Sequence, residues 1–167
     1  MTRKYGIGTL AAGGVVLALL TGYVETSRSD AATPDTPPTY RPLASDLMNA
    51  IIQPRHIKLW LAGKAQNWVF ADYERHNLGG AFARMAVAIP DYKGTKMTDM
   101  IDAFMKQPLA DLDQAIKAKD DVAFTKAYGE LTDGCNSCHQ SAEHAMAVIK
   151  VPDTSPFPDQ DFRPPAP

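Results

Sequence analysis

Apolar side chains recur at intervals of three and four through most of this chain, the spacing that lines one face of an α-helix. The last such stripe is Phe124, Tyr128, Leu131, Cys135, Cys138, Ala142, Met146 and Ile149. It predicts one continuous helix, capped by Asp120 or Asp121 and closed before Pro152. Upstream, Ile101, Phe104, Met105, Leu109, Leu112 and Ile116 form a second stripe, with Pro108 as a kink or as the true first-turn residue. Few residues separate these two helices, so they should be antiparallel neighbours. A third stretch runs from Lys64 to Ile89 and buries Trp68, Val69, Leu78, Phe82, Met85 and Ala86, with Pro90 to Gly94 as the closing turn. Leu43 to Ala62 carries Leu47, Met48, Ile51, Ile52, Leu59 and Trp60. The pattern yields four helices and no convincing strand. The junction of the first two is open: Gly63 can end one helix, or Pro54 can divide a short helix from one running Arg55 to Ile89.

The ends of the chain read differently. Arg3 and Lys4 precede an almost uncharged apolar run from Gly6 to Leu20, and Ser29-Asp30-Ala31 offers small residues for cleavage. Residues 1–31 are therefore a signal peptide or, uncleaved over about 20 residues from Tyr5 to Val24, an N-terminal membrane anchor. Residues 32–42 form a proline-rich linker. Residues 43–150 make one helical domain, and 151–167 a proline-rich tail whose only large apolar side chains are Phe157 and Phe162. The formal net charge is −2, which argues against nucleic acid as a partner.

Inside the last stripe lies Cys135-Asn136-Ser137-Cys138-His139. Cys-x-x-Cys-His is the attachment motif of a c-type haem. On a helix the two thiols stand three residues apart on one face, placed to form thioethers with the two vinyl groups along one porphyrin edge, and His139 lies on that face as the proximal iron ligand. Three other readings compete. A thioredoxin-like dithiol needs a preceding strand and a βαβ pattern, neither of which is visible. Zinc needs four N or S ligands, with only Cys135, Cys138, His139 and His144 nearby. A disulfide within one helix has poor geometry. One covalent haem c is the expected cofactor, and its attachment outside the bacterial cytoplasm agrees with an export segment.

The motif opens the domain in the common small cytochrome c fold, and a methionine ligand follows far downstream. Here only 28 residues follow His139. A haem motif on the last helix of a four-helix bundle resembles instead the class II cytochromes, the cytochrome c' family and its low-spin relatives. The resemblance spans roughly residues 43–146 in layout and is specific at Cys135, Cys138 and His139. The segment Arg55-His56-Ile57-Lys58-Leu59-Trp60 and the proline-rich tail depart from the family's pattern.

What the resemblance implies is an all-α, four-helix bundle holding haem between helices, with His139 proximal and the first helix facing the distal side. That distal residue is apolar in cytochrome c' and a methionine in the low-spin relatives. Met48 stands where the methionine would be, on a stripe with Ile52, Arg55 and Leu59; a gap-filling core methionine is the alternative. His56 is the rival sixth ligand, eight residues on and too distant to share one iron with Met48. With Met48 at the metal, Arg55, His56 and Lys58 sit toward a haem edge, where they meet propionates, or else they form a solvated basic face. His76 and His144 read as surface or supporting residues, and Trp60 and Trp68 as core.

The leading function is one-electron transfer in the periplasm, soluble or tethered to the inner membrane, with redox proteins as partners. A five-coordinate haem that binds nitric oxide or another small gas, with peroxidase or gas-reductase chemistry as a lesser branch, is one alternative. A haem subunit of a membrane redox complex is another. From the resemblance alone, a homodimer is among the expected assemblies.

Overall fold

The structure, a computed structural model, describes residues 40–166. The signal or anchor expected at residues 1–31, and the linker before Tyr40, lie outside the described residues. The described part is almost wholly helical, as the 3.6-residue periodicity requires.

The first helical run is α1 (Ala44–Leu47), a π-helical turn at Met48–Ile52, and α2 (Gln53–Lys64). The Asp46 carboxylate accepts the Leu43 N–H at its start. Pro54 neither ends nor divides this run. Its ring would crowd the carbonyl of residue 50 in a regular helix, and it lacks the N–H that would pair with it. The chain widens there instead, and the Gln53 N–H reaches back five residues to the Met48 carbonyl. The extra residue changes the phase of the helix. Leu47 and Ile52, five apart, both enter the core, and Met48 is left half-buried on its flank.

Gly63 does not end the helix either. It is buried inside α2, where a Cβ would stand 2.1 Å from the Phe124 ring. The reversal comes at Ala65 to Asn67, with Gln66 in the left-handed region (φ 57°). Asn67 then caps α3 (Trp68–Ala88) by accepting the Phe70 N–H at 3.2 Å. Sequence patterning missed this turn because it contains neither proline nor glycine. Val69, expected inside, is 86% exposed, since the true helix start places it on the outer face.

A two-residue hairpin, β1 (Asp91–Tyr92) and β2 (Thr95–Lys96), replaces the simple turn expected at Pro90 to Gly94. It leads into α4 (Met97–Ala118), which carries Pro108 internally. α5 (Asp121–Ser141) follows after two residues, with the Asp120 carboxylate accepting the N–H groups of Val122 and Ala123. Each helical run packs on the next, and α5 returns to α2. Leu59, Leu78, Met105, Leu112, Phe124, Tyr128 and Leu131, drawn from every run, are fully buried in the shared core.

α5 is shorter than its apolar stripe. It stops at Ser141, Glu143 turns the chain through a left-handed conformation (φ 60°), and Met146 is 80% exposed. Residues 142–151 fold back beside the helix. The tail is non-helical, and it docks: Phe162 is buried against Phe70, Phe157 stacks between Phe162 and the Lys58 ammonium, and Asn67 donates to the Arg163 carbonyl. Among the described residues, no helix is long and apolar enough to cross a membrane.

Candidate cofactor-attachment site

The last two turns of α5 carry Cys135, Cys138 and His139 on one face, as their spacing demands. Immediately before them, Gly134 brings α5 against α4. A Cβ at Gly134 would lie 2.4 Å from the Phe104 carbonyl oxygen. That carbonyl is the one whose helical donor is missing, because its partner four residues on is Pro108. Proline on one helix and glycine on the other thus let two backbones meet beside the motif.

Burial changes along α5 at this point. Phe124, Ala127, Tyr128, Leu131 and Thr132 are buried, whereas residues 134–139 are half-exposed. Both cysteines are free thiols. Burial pushes the Cys135 thiol up to about 12, and burial also raises Cys138. The two are therefore neutral S–H groups at physiological pH. A redox dithiol needs the opposite, a depressed pKa that yields a thiolate. Among the described residues, no three His, Cys, Asp or Glu side chains gather into a group able to hold a metal by themselves. Tetrahedral zinc lacks its ligand set here. A haem needs less from the protein, two thiols and an axial nitrogen, because the porphyrin supplies the equatorial donors.

His139 is held in the state that an axial ligand requires. Its Nδ1 lies 2.6 Å from the Ala147 carbonyl oxygen. A carbonyl only accepts, so Nδ1 carries a proton, and in the neutral ring Nε2 is then the nitrogen with the lone pair. A backbone carbonyl on the remote nitrogen is the common partner of a metal-binding imidazole. The carbonyl arrives from the folded-back segment. Asn136 fixes that segment through a reciprocal pair: its amide donates to the Ile149 carbonyl at 2.9 Å and its oxygen accepts the Ile149 N–H at 2.8 Å. The hairpin supplies a second anchor, through a 2.5 Å hydrogen bond between the Tyr92 hydroxyl and His144 Nε2 and an ion pair between Lys93 and Glu143. His144, read from the sequence as a surface or supporting residue, is a half-buried support.

The residues offered as neighbours of a haem edge are otherwise employed. His56 is 3% exposed. Thr132 Oγ1 gives its one proton to the Tyr128 carbonyl and therefore accepts from His56 Nε2–H at 3.1 Å. The single Tyr128 hydroxyl proton is shared between the His56 carbonyl oxygen at 2.7 Å and the bare His56 Nδ1 at 2.9 Å. Both ring nitrogens thus face α5, and neither is left for a metal. Burial lowers the His56 pKa to about 4, so the ring is neutral. The solvated basic face fails for this residue because the π-helical turn rotates it inward. Arg55 reaches the other way, to the buried Glu74 of α3 at 3.1 Å, with its Nε buried and unpaired. Burial outweighs that guanidinium and holds the Glu74 carboxyl above its usual range. Lys58 lies over Phe157.

Met48 is half-buried against the core. Its level follows from two cross-links between the first run and α5. Lys64 pairs with Asp121, and His56 with Tyr128 and Thr132. The helices are antiparallel, so each step back along the first is a step forward along α5, and extending that register through the π-helical turn brings Met48 toward the level of the Cys135–His139 motif. By the same register His56 lies about two turns away from the motif.

The sequence reading did not identify Asn136, Ala147, Tyr128 or Glu74 as partners in these clusters. Asn136 sits inside the motif and could have been weighed as more than a spacer. A backbone carbonyl such as that of Ala147 carries no side-chain signal at all. No protein family, characterised protein or solved structure matches the chain.

Proposed function

We propose that this chain is an exported mono-haem c-type cytochrome that carries single electrons. Its helices form a four-helix bundle, Cys135 and Cys138 hold the porphyrin as thioethers, His139 is the proximal iron ligand, and Met48 is the distal one. The observation that carries the reading is the Ala147 carbonyl on His139 Nδ1, which frees Nε2 beside two neutral thiols. Each thiol would add across one vinyl group, and a bound haem would supply a one-electron couple at iron. The roles of the chain are to hold, orient and partly cover that group. Met48 is favoured over His56 by its level, whereas both nitrogens of His56 are committed. Thioether ligation favours ferrous iron and raises the potential. Turnover then requires only a weak docking encounter with a redox protein near the exposed end of α5. Arg3, Lys4 and the apolar run from Gly6 to Leu20 support placement on the periplasmic side.

Optical spectroscopy of the ferric and ferrous protein, with and without carbon monoxide, tests the assignment. A low-spin spectrum that resists carbon monoxide and becomes high-spin in Met48→Ala is expected, with covalent haem lost in Cys135→Ala/Cys138→Ala. A high-spin wild-type spectrum with rapid gas binding would replace the carrier by a gas-binding haem protein. Mature protein without covalent haem would end both readings.

A further inference from the structure

The residue between the two cysteines has a task of its own. Asn136 and Ile149 exchange two hydrogen bonds, 2.9 and 2.8 Å, across the 13 residues that separate them. A carboxamide, with its NH2 donor and carbonyl acceptor side by side, matches the N–H and C=O of one backbone residue. Its consequence lies two residues along the returning strand of chain. Ala147 is thereby set with its carbonyl 2.6 Å from His139 Nδ1, three residues after Asn136 on α5. On the near side, backbone bonds from the Ala147 N–H to the His144 carbonyl at 2.9 Å and from the His144 N–H to the His139 carbonyl at 2.7 Å shape the turn, and Asn136 fixes the far side. Met146 and Val148, on either side of Ala147, are 80% and 75% exposed, so apolar packing does not hold it down. The Tyr92–His144 bond anchors the turn before it, and the Lys150–Asp153 pair lies on the surface after it.

We infer that Asn136 is a positioning residue, a clasp that fixes the tautomer and electron-donor strength of His139 by holding the Ala147 carbonyl on Nδ1. This rests on His139 being the iron ligand, and it goes beyond that by assigning the control of the ligand. A hydrogen bond accepted from Nδ1–H makes the imidazole a stronger donor through Nε2, which stabilises ferric iron. Opening the clasp weakens the donor. The chain then has one lever on the iron from each side, Met48 distally and Asn136 by way of Ala147 proximally.

The test is Asn136→Ala in the mature protein, read by reduction potential, by 15N shifts of the His139 ring, and by amide exchange at Ile149. The potential should rise while covalent haem content, measured after denaturation, stays at the wild-type level. The Ile149 amide should exchange about tenfold faster or more, the worth of one hydrogen bond. Asn136→Asp keeps the acceptor for the Ile149 N–H and loses the donor, so exchange at the Ile149 amide should fall between wild type and alanine. An unchanged potential and unchanged ring shifts in Asn136→Ala would overturn the inference. So would an Ile149 amide in wild-type protein that exchanges as fast as an open chain, which needs no variant. If the wild type carries no covalent haem, the ligand assignment fails instead, and ring shifts and exchange still decide whether the clasp exists.

Discussion

The two ends of α5 treat polar side chains in opposite ways. In its first half, His56, Tyr128 and Thr132 form a closed set in which every ring nitrogen and hydroxyl has a partner, beneath aromatic contacts from Trp60 and Phe124. In its second half, the His139 ring has one nitrogen satisfied by a carbonyl and the other free, on the half-exposed face that also carries Cys135 and Cys138. A histidine with both nitrogens paired in a core ties helices together. One with a single nitrogen paired, held in a known tautomer, is equipped to bind something. The contrast between His56 and His139 therefore rests on how many nitrogens remain, and burial follows from that.

The comparison breaks if substitutions at the closed end disturb the cofactor, or if those at the open end mainly disturb stability. The largest effect is expected from His56→Ala, which opens a cavity and orphans Thr132 and Tyr128, at a cost of about 3–4 kcal/mol near pH 7.5. That cost should shrink on acidification. The folded pKa of His56, about 4, lies below the unfolded value of 6.5, so the unfolded chain takes up a proton first as the pH falls. The stability that His56 contributes is complete above pH 6.5 and is lost progressively toward pH 4, by about 3 kcal/mol. Glu74, with its raised pKa, titrates with the opposite sign in wild type and variant alike, so the difference between the two isolates His56. Denaturant melts of both proteins from pH 8 to pH 4 check this, with the gap closing as the acid side is reached.

Gly63→Ala comes next. Its new methyl would overlap the Phe124 ring, and the shift needed to admit it should cost about 2 kcal/mol by thermal unfolding. On the proposed reading, the haem spectrum should not change in either variant. Met48→Ala gives the smallest loss of stability, about 1 kcal/mol from a half-buried side chain, yet the largest change of spin state. A spectral change in Gly63→Ala with none in Met48→Ala would reverse the roles assigned to the two ends.

Much of this arrangement was legible from residue spacing. The stripes through Ile101 to Ile116 and Phe124 to Leu131 predicted α4 and the buried part of α5, because 3.6-residue periodicity is a local consequence of burying one face. The same rule overran at Ala142, Met146 and Ile149. There the Asn136–Ile149 pair and the His139–Ala147 bond compete with helix continuation, and they join residues that periodicity treats as independent. The turn at Ala65 to Asn67 was hidden for a related reason. Gly63 read as a stop signal, but its missing side chain admits Phe124 from another helix, and Gln66 takes the left-handed position without announcing it. At Pro54 the clash was foreseeable, yet its relief by a π-helical turn depended on which residues the core would accept.

By itself, the sequence determined that the domain is helical and that two thiols and an imidazole share one face at the end of its last helix. Both follow from spacing along a single element. Tertiary structure alone decided that His56 is committed to Tyr128 and Thr132, that Asn136 pairs with Ile149, and that the Ala147 carbonyl meets His139. Those outcomes depend on hydrogen-bond partners far apart in the chain. A side chain's protonation and availability are set by whichever partners folding delivers, and no local pattern encodes them.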